Sequence, residues 1–251
     1  PMRLALWQDR SPEGDVEGGL GRLGAGLRAA GAMGAAALVA PEAWLPGYNR
    51  PDIPDRAMAR EAVAARLAPL ARAAGCGLVL GYAERDGARL FNSALALDAE
   101  GREVAHYRKL QLYGPRETAL YEPGEGYVLF ELGGVRCALL ICYDVEFAPH
   151  VAALAERGAR AILVPTANMH PFVHVVRHTV PAMAANHGLS IAYANLCGEE
   201  GDLRYTGGSL IAGPHGEVVA QAGETPALLV ADLPEPDPAR LSTQARDLRR
   251  P

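Results

Sequence analysis

The most constraining feature of this chain is a set of short segments that are apolar at almost every position rather than at every second one. Residues 36–40, 135–141 and 161–164 are examples. A strand of this kind is covered on both faces, and helical segments lie between the strands. The pattern therefore predicts an α/β fold built as a layered sandwich, without fixing the order of the strands.

Apolar periodicity and turn residues divide the chain into alternating elements. Strands are predicted at residues 2–7, 36–40, 77–82, 91–97, 103–108, 128–132, 135–141, 161–164, 190–195, 208–212, 218–220 and 227–231. Helices are predicted at residues 20–33, 55–74, 149–157 and 171–187, and Pro181 should kink or divide the last one. The 251 residues, 49% of them hydrophobic, suit a single domain over 1–251 with an extended tail from about residue 233.

Charge and cysteine content limit the partners and the compartment. The net charge of −5 gives no basic surface for nucleic acid or for an anionic membrane, and no apolar run is long enough to span a bilayer. No N-terminal signal segment is recognised. The four cysteines form no CxxC pair and are too few for a disulfide framework in a chain of this length, so a reducing, cytoplasmic setting is expected.

Cys142 has the sequence context of a nucleophile. It ends the apolar segment 135–141, and a helix is predicted shortly after it. Such a strand–turn–helix junction lifts a side chain out of the sheet and points backbone N–H groups at it, which favours a thiolate and can hold an oxyanion. A cysteine that merely packs is the alternative. Cys137 points to the opposite face and is expected to be core, and Cys76 and Cys197 are expected to be structural.

Two charged residues occupy comparable strand ends. Glu42 directly follows the apolar segment 36–40 and Pro41, and Lys109 directly follows the predicted strand 103–108. Each alone could be a solvated charge at the end of a strand. Together with Cys142, they provide the attack, the proton transfer and the oxyanion stabilisation that amide hydrolysis requires.

The segments around these three residues resemble the nitrilase superfamily of carbon–nitrogen hydrolases. The matching segments are Pro41-Glu42 with Gly47-Tyr48-Asn49, Tyr107-Arg108-Lys109-Leu110-Gln111-Leu112-Tyr113-Gly114, Leu140-Ile141-Cys142-Tyr143-Asp144, Val164-Pro165-Thr166-Ala167-Asn168-Met169, Tyr193-Ala194-Asn195-Leu196-Cys197-Gly198, and Gly208-Ser209 through Pro214-His215-Gly216. They occur in the order typical of that family and span almost the whole chain.

The resemblance implies a four-layer α-β-β-α sandwich that forms at least a homodimer, and it assigns roles to seven residues. Cys142 is the nucleophile, Glu42 the base and Lys109 the oxyanion partner. Glu117 is a second, assisting carboxylate, and the Tyr143 N–H completes the oxyanion site. Tyr48 and Asn168 are assigned to substrate binding. This chemistry requires no metal or organic cofactor.

Within the superfamily the motifs are most similar to those of aliphatic amidases, such as 5-aminopentanamidase and the stereoselective carboxamide amidases. The predicted function is hydrolysis of a small aliphatic primary amide through a cysteine thioester. Nitrile hydrolysis or N-carbamoyl hydrolysis on the same triad, and a non-catalytic interaction role, are the alternatives. The family's charged residues are missing after Phe147, where Ala148-Pro149 stand, and from residues 183–187, which suggests local repacking near the pocket.

Two further clusters of polar residues could have a function. His170, His174 and His178 recur every four residues, a spacing that could hold zinc, but no acidic or cysteine partner lies beside them and an exposed helix face is expected. The acidic segment 199–202 follows the strand 190–195. If that segment borders the pocket, its carboxylates would favour a substrate with a distal amine.

Overall fold

The fold is described from a computed structural model covering residues 1–251, and it contains two large β-sheets. The strands are β1 (Arg3–Arg10), β2 (Ala37–Val39), β3 (Gly77–Asp86), β4 (Arg89–Leu97), β5 (Glu103–Arg108), β6 (Leu129–Leu132), β7 (Val135–Leu139), β8 (Ala161–Pro165), β9 (Ser190–Ala194), β10 (Leu196–Cys197), β11 (Glu199–Glu200), β12 (Leu203–Arg204), β13 (Leu210–Ala212), β14 (Val218–Gln221) and β15 (Ala227–Asp232). The α-helices are α1 (Val16–Ala32), α2 (Ile53–Arg56), α3 (Arg60–Ala74), α4 (Gly114–Leu120), α5 (Ala148–Glu156), α6 (Val180–His187) and α7 (Gln244–Asp247). None of the helices is both long enough and apolar enough to cross a membrane.

The order of the strands in each sheet places the two ends of the chain in one sheet. The first sheet has the order β10-β1-β2-β3-β4-β5, and β15 pairs antiparallel with β1. The second sheet has the order β14-β13-β9-β8-β7-β6, and β11 pairs with β12 as a separate hairpin. Strands β1, β2 and β3 are parallel to one another, as are β7, β8 and β9, so the carboxyl ends of three neighbouring strands meet at one edge of each sheet.

Alternating side chains divide the core into two layers. In β1, Leu4 and Leu6 belong to the cluster that joins the first sheet to the second, whereas Ala5 and Trp7 belong to the cluster that packs under α1 and α3. Residues of α5 and α6 complete the cluster of the second sheet. The result is a four-layer α-β-β-α sandwich, which confirms the predicted fold class.

Several predicted helix boundaries were wrong. For the predicted helix 55–74, the cause is pairing of the chain with a strand that is distant in sequence. The predicted helix 55–74 is two helices, α2 and α3, separated by an extended turn. Within that turn, Met58 forms a parallel bridge to Glu84 of β3 and donates its N–H to the Ala83 carbonyl at 3.1 Å. Pairing with a strand end therefore overrides a good local helix propensity.

The predicted helix 171–187 begins later than expected and with different geometry. A π-helical turn covers Val175–Thr179, and α6 follows from Val180. Pro181 has no N–H to donate to the preceding turn, so the wider turn lies where the sequence predicts a kink. The sequence predicts no helix at residues 114–120, where the structure has α4. Pro115 lies in the first turn of this helix, where a missing N–H costs nothing.

Candidate active site

Three strand ends bring the charged and nucleophilic residues to one place. Glu42 lies three residues past β2, Lys109 directly follows β5, and Cys142 lies three residues past β7. The turn that carries Glu42 lies directly against β3 at Gly81, where an added Cβ would be 2.6 Å from the Glu42 Cα. Only a glycine leaves room for so close an approach of two backbones.

The Lys109 ammonium lies between two carboxylates in a region that solvent does not reach. Its Nζ donates to Glu42 Oε1 at 2.8 Å and to both oxygens of Glu117 at 2.9 and 3.0 Å. Asn92, on β4, donates from Nδ2 to Glu42 Oε1 at 2.7 Å and to Glu117 Oε1 at 3.3 Å. The four side chains form one hydrogen-bonded cluster, and all of them are buried.

Burial and charge set the protonation behaviour of this cluster. Burial raises the pKa of the Glu42 carboxyl, and the negative charge of Glu117 raises it further, against the opposing effect of Lys109. Burial alone would lower the pKa of Lys109, but the two carboxylates outweigh it and raise that pKa well above its ordinary value. Lys109 is therefore a permanent cation. The Oε2 atom of Glu42 has no hydrogen-bond partner, which leaves it free to accept a proton.

Cys142 occupies a strained turn at the carboxyl end of β7. It is the first residue of a 3-10 helix, Cys142–Glu146, and its φ of 44° lies in the left-handed region that non-glycine residues rarely adopt. Burial and the charge of Glu42 raise the pKa of the Cys142 thiol, whereas Lys109, the Thr166 hydroxyl and the Ala167 N–H favour its ionised form. The resting thiol is therefore neutral and requires a base.

The sulfur faces a mostly apolar cavity of about 230 Å³. Its lining is Tyr48, Tyr113, Cys142, Tyr143, Glu146, Ala167, Asn168, Met169, Phe172 and His174. The Tyr113 ring packs edge-on against Tyr143 and Phe172, with ring centroids 5.2 and 6.1 Å apart. A cavity of this size and lining admits a small apolar group.

The seven assigned residues therefore form one site, although two are engaged differently from the assignment. The Tyr48 hydroxyl donates to Glu117 Oε2 at 2.6 Å, so this tyrosine positions a carboxylate as well as lining the cavity. The Asn168 side-chain NH₂ donates to the Phe172 carbonyl at 3.0 Å and to Thr206 Oγ1 at 3.3 Å. Only the remaining surface of Asn168 is available to a substrate.

The sequence did not single out three polar residues at this site. Asn92 bridges the two carboxylates, the Thr166 hydroxyl favours the ionised form of the Cys142 thiol, and the buried Tyr193 hydroxyl has no hydrogen-bond partner. A polar side chain in an otherwise apolar strand was the available signal, and Asn92 in β4 and Tyr193 in β9 both carry it.

The acidic segment 199–202 does not line the cavity, so the proposed recognition of a distal amine by that segment was wrong. Glu200 is buried elsewhere, where it accepts hydrogen bonds from the Tyr48 N–H at 3.2 Å, the Asn49 N–H at 2.9 Å and the Tyr205 hydroxyl at 2.6 Å. Asp202 is exposed and pairs with Asn49 and Arg116. The carboxylate that does line the cavity is Glu146.

The histidines at 170, 174 and 178 do not share a site. His174 lines the cavity, and His170 lies 3.8 Å from Glu224. No group of three or more His, Cys, Asp or Glu side chains is arranged so that it could hold a metal ion.

Comparison with known proteins gives one consistent family. The family model of the carbon–nitrogen hydrolases matches residues 3–239. The hydrolase in the pqqF 5′ region of Pseudomonas protegens is 41% identical over 92% of this chain and 82% of its own length. A nitrilase of Pyrococcus abyssi is 33% identical over 79% of this chain and 76% of its own length.

Solved structures give the same result. A mutant of the amidase from Nesterenkonia sp. AN1, in which acrylamide has added to the active-site cysteine, superposes with a TM-score of 0.89. It is 38% identical, and the match covers 93% of this chain and 94% of that one. At this identity the likeness concerns the family as well as the fold.

Proposed function

This chain belongs to the carbon–nitrogen hydrolase family, and from that membership we propose that it is an amidase that hydrolyses a small aliphatic primary amide to a carboxylate and ammonia. The family makes it a hydrolase of carbon–nitrogen bonds. The observation that carries the proposal is the buried Glu42–Lys109–Glu117 cluster beside a neutral thiol that faces a small apolar cavity. The amidase from Nesterenkonia, similar over almost the whole chain, supports the choice of an amide.

The proposed reaction starts at the thiol. Glu42 Oε2 takes the Cys142 proton while the sulfur attacks the amide carbonyl carbon, and the Lys109 ammonium with the Tyr143 N–H stabilises the oxyanion. As the carbon–nitrogen bond breaks, Glu42 returns the proton to the departing ammonia, which leaves an acyl thioester on Cys142. Glu42 then deprotonates a water that attacks the thioester. The sulfur leaves and regains a proton, and the acid is released.

The raised pKa values of base and nucleophile suit this sequence. A carboxylate with an ordinary pKa would be too weak a base for a thiol whose own pKa is raised by burial. Burial and the charge of Glu117 raise the pKa of Glu42, so the difference between the pKa values of Glu42 and Cys142 is smaller. Lys109 remains charged throughout, because losing its proton would leave two carboxylates without a cation.

The cavity also bears on the charge of the substrate. Glu146 lines it with a half-buried carboxylate, whereas Lys109 is covered and Arg116, at the outer mouth, lies 3.4 Å from Asp202. An acyl group that ends in a carboxylate would meet like charge, at a cost of about 1 kcal/mol at partly screened distances. The proposed acyl group is therefore neutral or cationic.

The test is a panel of primary amides, the corresponding nitriles and N-carbamoyl compounds, with ammonia release as the measurement. Pentanamide and 5-aminopentanamide should be hydrolysed, and glutaric acid monoamide should have the lowest kcat/KM of the three amides. Faster release from nitriles or N-carbamoyl compounds would contradict the amidase proposal.

Two cysteine variants complete the test. Cys142→Ala should abolish turnover, with at most a small change in melting temperature, because a strained site contributes little to stability. Cys137→Ala is the matched control: Cys137 lies in β7, the strand that leads to Cys142, and is packed in the core, so activity should persist while stability falls by about 1–2 kcal/mol. A thiol-directed acyl electrophile that failed to label Cys142 would favour the non-catalytic alternative.

We further propose a homodimer in a cytoplasmic setting. The family resemblance supports the dimer, and the four buried cysteines, none of which forms a disulfide, are consistent with a reducing compartment. Light scattering at micromolar concentration should give twice the chain mass of 26.5 kDa.

A further inference from the structure

Asp144 lies at the point where the lysine segment meets the nucleophile turn. It is fully buried and lies two residues after Cys142, within the same 3-10 helix. Its carboxylate does not belong to the Glu42–Lys109–Glu117 cluster, and the reaction proposed above does not use it. A buried carboxylate is costly unless its oxygens are well satisfied, so the identity of its donors indicates what it does.

The donors come from both sides of Lys109 and from the residue before Cys142. The Tyr107 hydroxyl, two residues before the lysine, donates to Asp144 Oδ2 at 2.6 Å. The Gln111 N–H, two residues after the lysine, donates to Oδ1 at 2.7 Å. The Ile141 N–H donates to Oδ2 at 3.0 Å. The Asp144 carboxylate therefore forms hydrogen bonds to the backbone next to the nucleophile and to residues on both sides of Lys109.

The two segments belong to different sheets, and besides the packing of Tyr113 against Tyr143 they are joined at this point by the hydrogen bonds to Asp144. Lys109 follows β5 at the end of the first sheet, and Cys142 follows β7 in the second. The Cys142 backbone is also strained, with a φ of 44°, and such a conformation persists only where its surroundings determine it. Asp144 holds Ile141, the residue immediately before Cys142, on both sides: its carboxylate accepts the Ile141 N–H, and its backbone N–H donates to the Ile141 carbonyl at 3.0 Å.

We propose that Asp144 is a positioning residue that sets the separation between the Lys109 ammonium and Cys142, and with it the geometry of the oxyanion site. The proposal rests on the proposed function, in which both groups act on one carbonyl. Oxyanion stabilisation depends steeply on donor placement, because the donors must meet the tetrahedral oxygen and not the ground-state carbonyl. Loss of Asp144 should therefore reduce kcat far more than it changes KM.

The test compares Asp144→Asn with Asp98→Asn. Asparagine keeps the size but offers one acceptor oxygen to three donors. Asp98 is the matched control, because it also accepts two backbone N–H bonds, from Glu100 at 3.0 Å and Arg102 at 2.9 Å, in a turn far from the site. Asp144→Asn should lower kcat at least a hundredfold with KM within about threefold. Asp98→Asn should leave kcat within about twofold.

A second measurement separates positioning from a general structural defect. Modification of Cys142 by a methyl thiosulfonate forms a disulfide, releases a sulfinate and involves no carbonyl oxyanion. A displaced Lys109 would still raise the pKa of the thiol, so the modification rate in Asp144→Asn should fall by at most about tenfold, much less than kcat, as followed by mass spectrometry. If modification and turnover fell together, Asp144 would be a structural residue only. Should Asp144→Asn not fold, Tyr107→Phe removes one of the three bonds and should lower kcat about tenfold with KM unchanged; wild-type kcat in that variant would overturn the proposal.

These outcomes are distinct from a failure of the proposed function. If the wild-type enzyme releases ammonia from none of the panel compounds, the proposed function fails and Asp144 has no reaction to position. If a compound is hydrolysed and Asp144→Asn hydrolyses it at the wild-type rate, only the Asp144 proposal fails.

Discussion

Lys109 is buried between two carboxylates that solvent does not reach, and the hydrogen bonds of its ammonium explain why both carboxylates are present. If the buried lysine had only one carboxylate partner, that carboxylate would have to accept all the hydrogen bonds of the ammonium. It would then be unavailable as a base. The second carboxylate, Glu117, takes two of the hydrogen bonds of Nζ, so Glu42 receives only one and keeps Oε2 free. Glu117 thus holds the lysine while Glu42 remains available as a base.

The first prediction at this scale concerns Glu117→Gln. We expect kcat to fall by on the order of a hundredfold or more with the fold retained, since the buried ammonium loses the carboxylate that positions it. The charge of Glu117 raises the pKa of Glu42, so the acidic limb of the pH–rate profile, which requires ionised Glu42, should move to lower pH in the variant. Glu122→Gln, at an exposed acid beyond α4, is the control and should change neither quantity. An undiminished kcat would reduce Glu117 to a structural acid.

The sequence predicts the role of a single residue when that role follows from the residue's own segment of the chain. Glu42, Lys109 and Cys142 each follow a strand within three residues, and that position is visible in the sequence. Asn92 and Asp144 act through partners that are 50 and 37 residues away, and the sequence alone does not bring those partners together. The resemblance located Asp144 within a motif, but only the contacts give it a role.

At the scale of elements, the short strand β11 anchors the loop that carries Tyr48. Glu200 accepts bonds from two successive N–H groups of that loop and from the Ser11 and Tyr205 hydroxyls. Tyr48 in turn donates a hydrogen bond to Glu117, so the β11–β12 hairpin holds Tyr48 in position against the active site. The sequence shows that residues 199–202 are acidic, but not which of the acids is buried. Glu200 is buried because it meets the loop that carries Tyr48, and the sequence does not reveal that contact.

The prediction for this element compares two neighbouring glutamates. Glu200→Gln should lower the free energy of unfolding by about 2 kcal/mol, because an amide oxygen cannot serve all four donors and buried donors are left unpaired. Activity should fall as well, since Tyr48 loses its support. Glu199→Gln changes the exposed acid of the same strand and should stay within about 0.5 kcal/mol of wild type. Urea denaturation measures both, and equal stabilities of the two variants would show that Glu200 is not the anchor.

Secondary structure was predictable where the apolar pattern is long and local, as in the central strands of both sheets. It failed where an element depends on a distant partner, as at Met58, or on backbone geometry such as the π-helical turn before α6. The short strands β10, β11 and β12 have two residues each and no periodicity of their own. Their existence follows from the sheet or hairpin they join.

At the scale of the whole molecule, one apolar cluster joins the two sheets, whereas the single domain over 1–251 stays a prediction. The cluster includes residues of β1 to β5 from the first sheet and of β6 to β9 and β13 from the second. Neither sheet could open without exposing the inner face of the other, so the two should unfold together. Local changes in charge would then alter the stability of the entire chain.

Glu84 on β3 offers a test of that coupling through pH. Its carboxylate is buried and accepts hydrogen bonds from Ser93 at 2.7 Å and from Arg108 at 2.8 and 3.0 Å, and it lies 3.3 Å from His106. Burial alone would raise the pKa of Glu84, but the bonds to His106, Arg108 and Ser93 outweigh it and lower that pKa to about 2. A folded-state pKa below the unfolded one means that the unfolded chain binds the proton more readily.

The stabilisation from ionised Glu84 is therefore present above the unfolded pKa, near 4.5, and is lost as the pH falls from there through about 2. Glu84→Gln should be less stable than wild type by about 2 kcal/mol at pH 7, and that difference should shrink between pH 4.5 and 2 as the wild type loses the same charge. Glu131→Gln, at an exposed acid of β6, should show no such convergence. Urea unfolding can be followed by two signals. Circular dichroism reports on both sheets, and fluorescence reports on Trp7 and Trp44, which lie in the cluster that packs under α1 and α3. The two signals should give coincident transitions at every pH. Two separate transitions would contradict the single domain, whereas a constant difference between Glu84→Gln and wild type would contradict the role of the Glu84 charge.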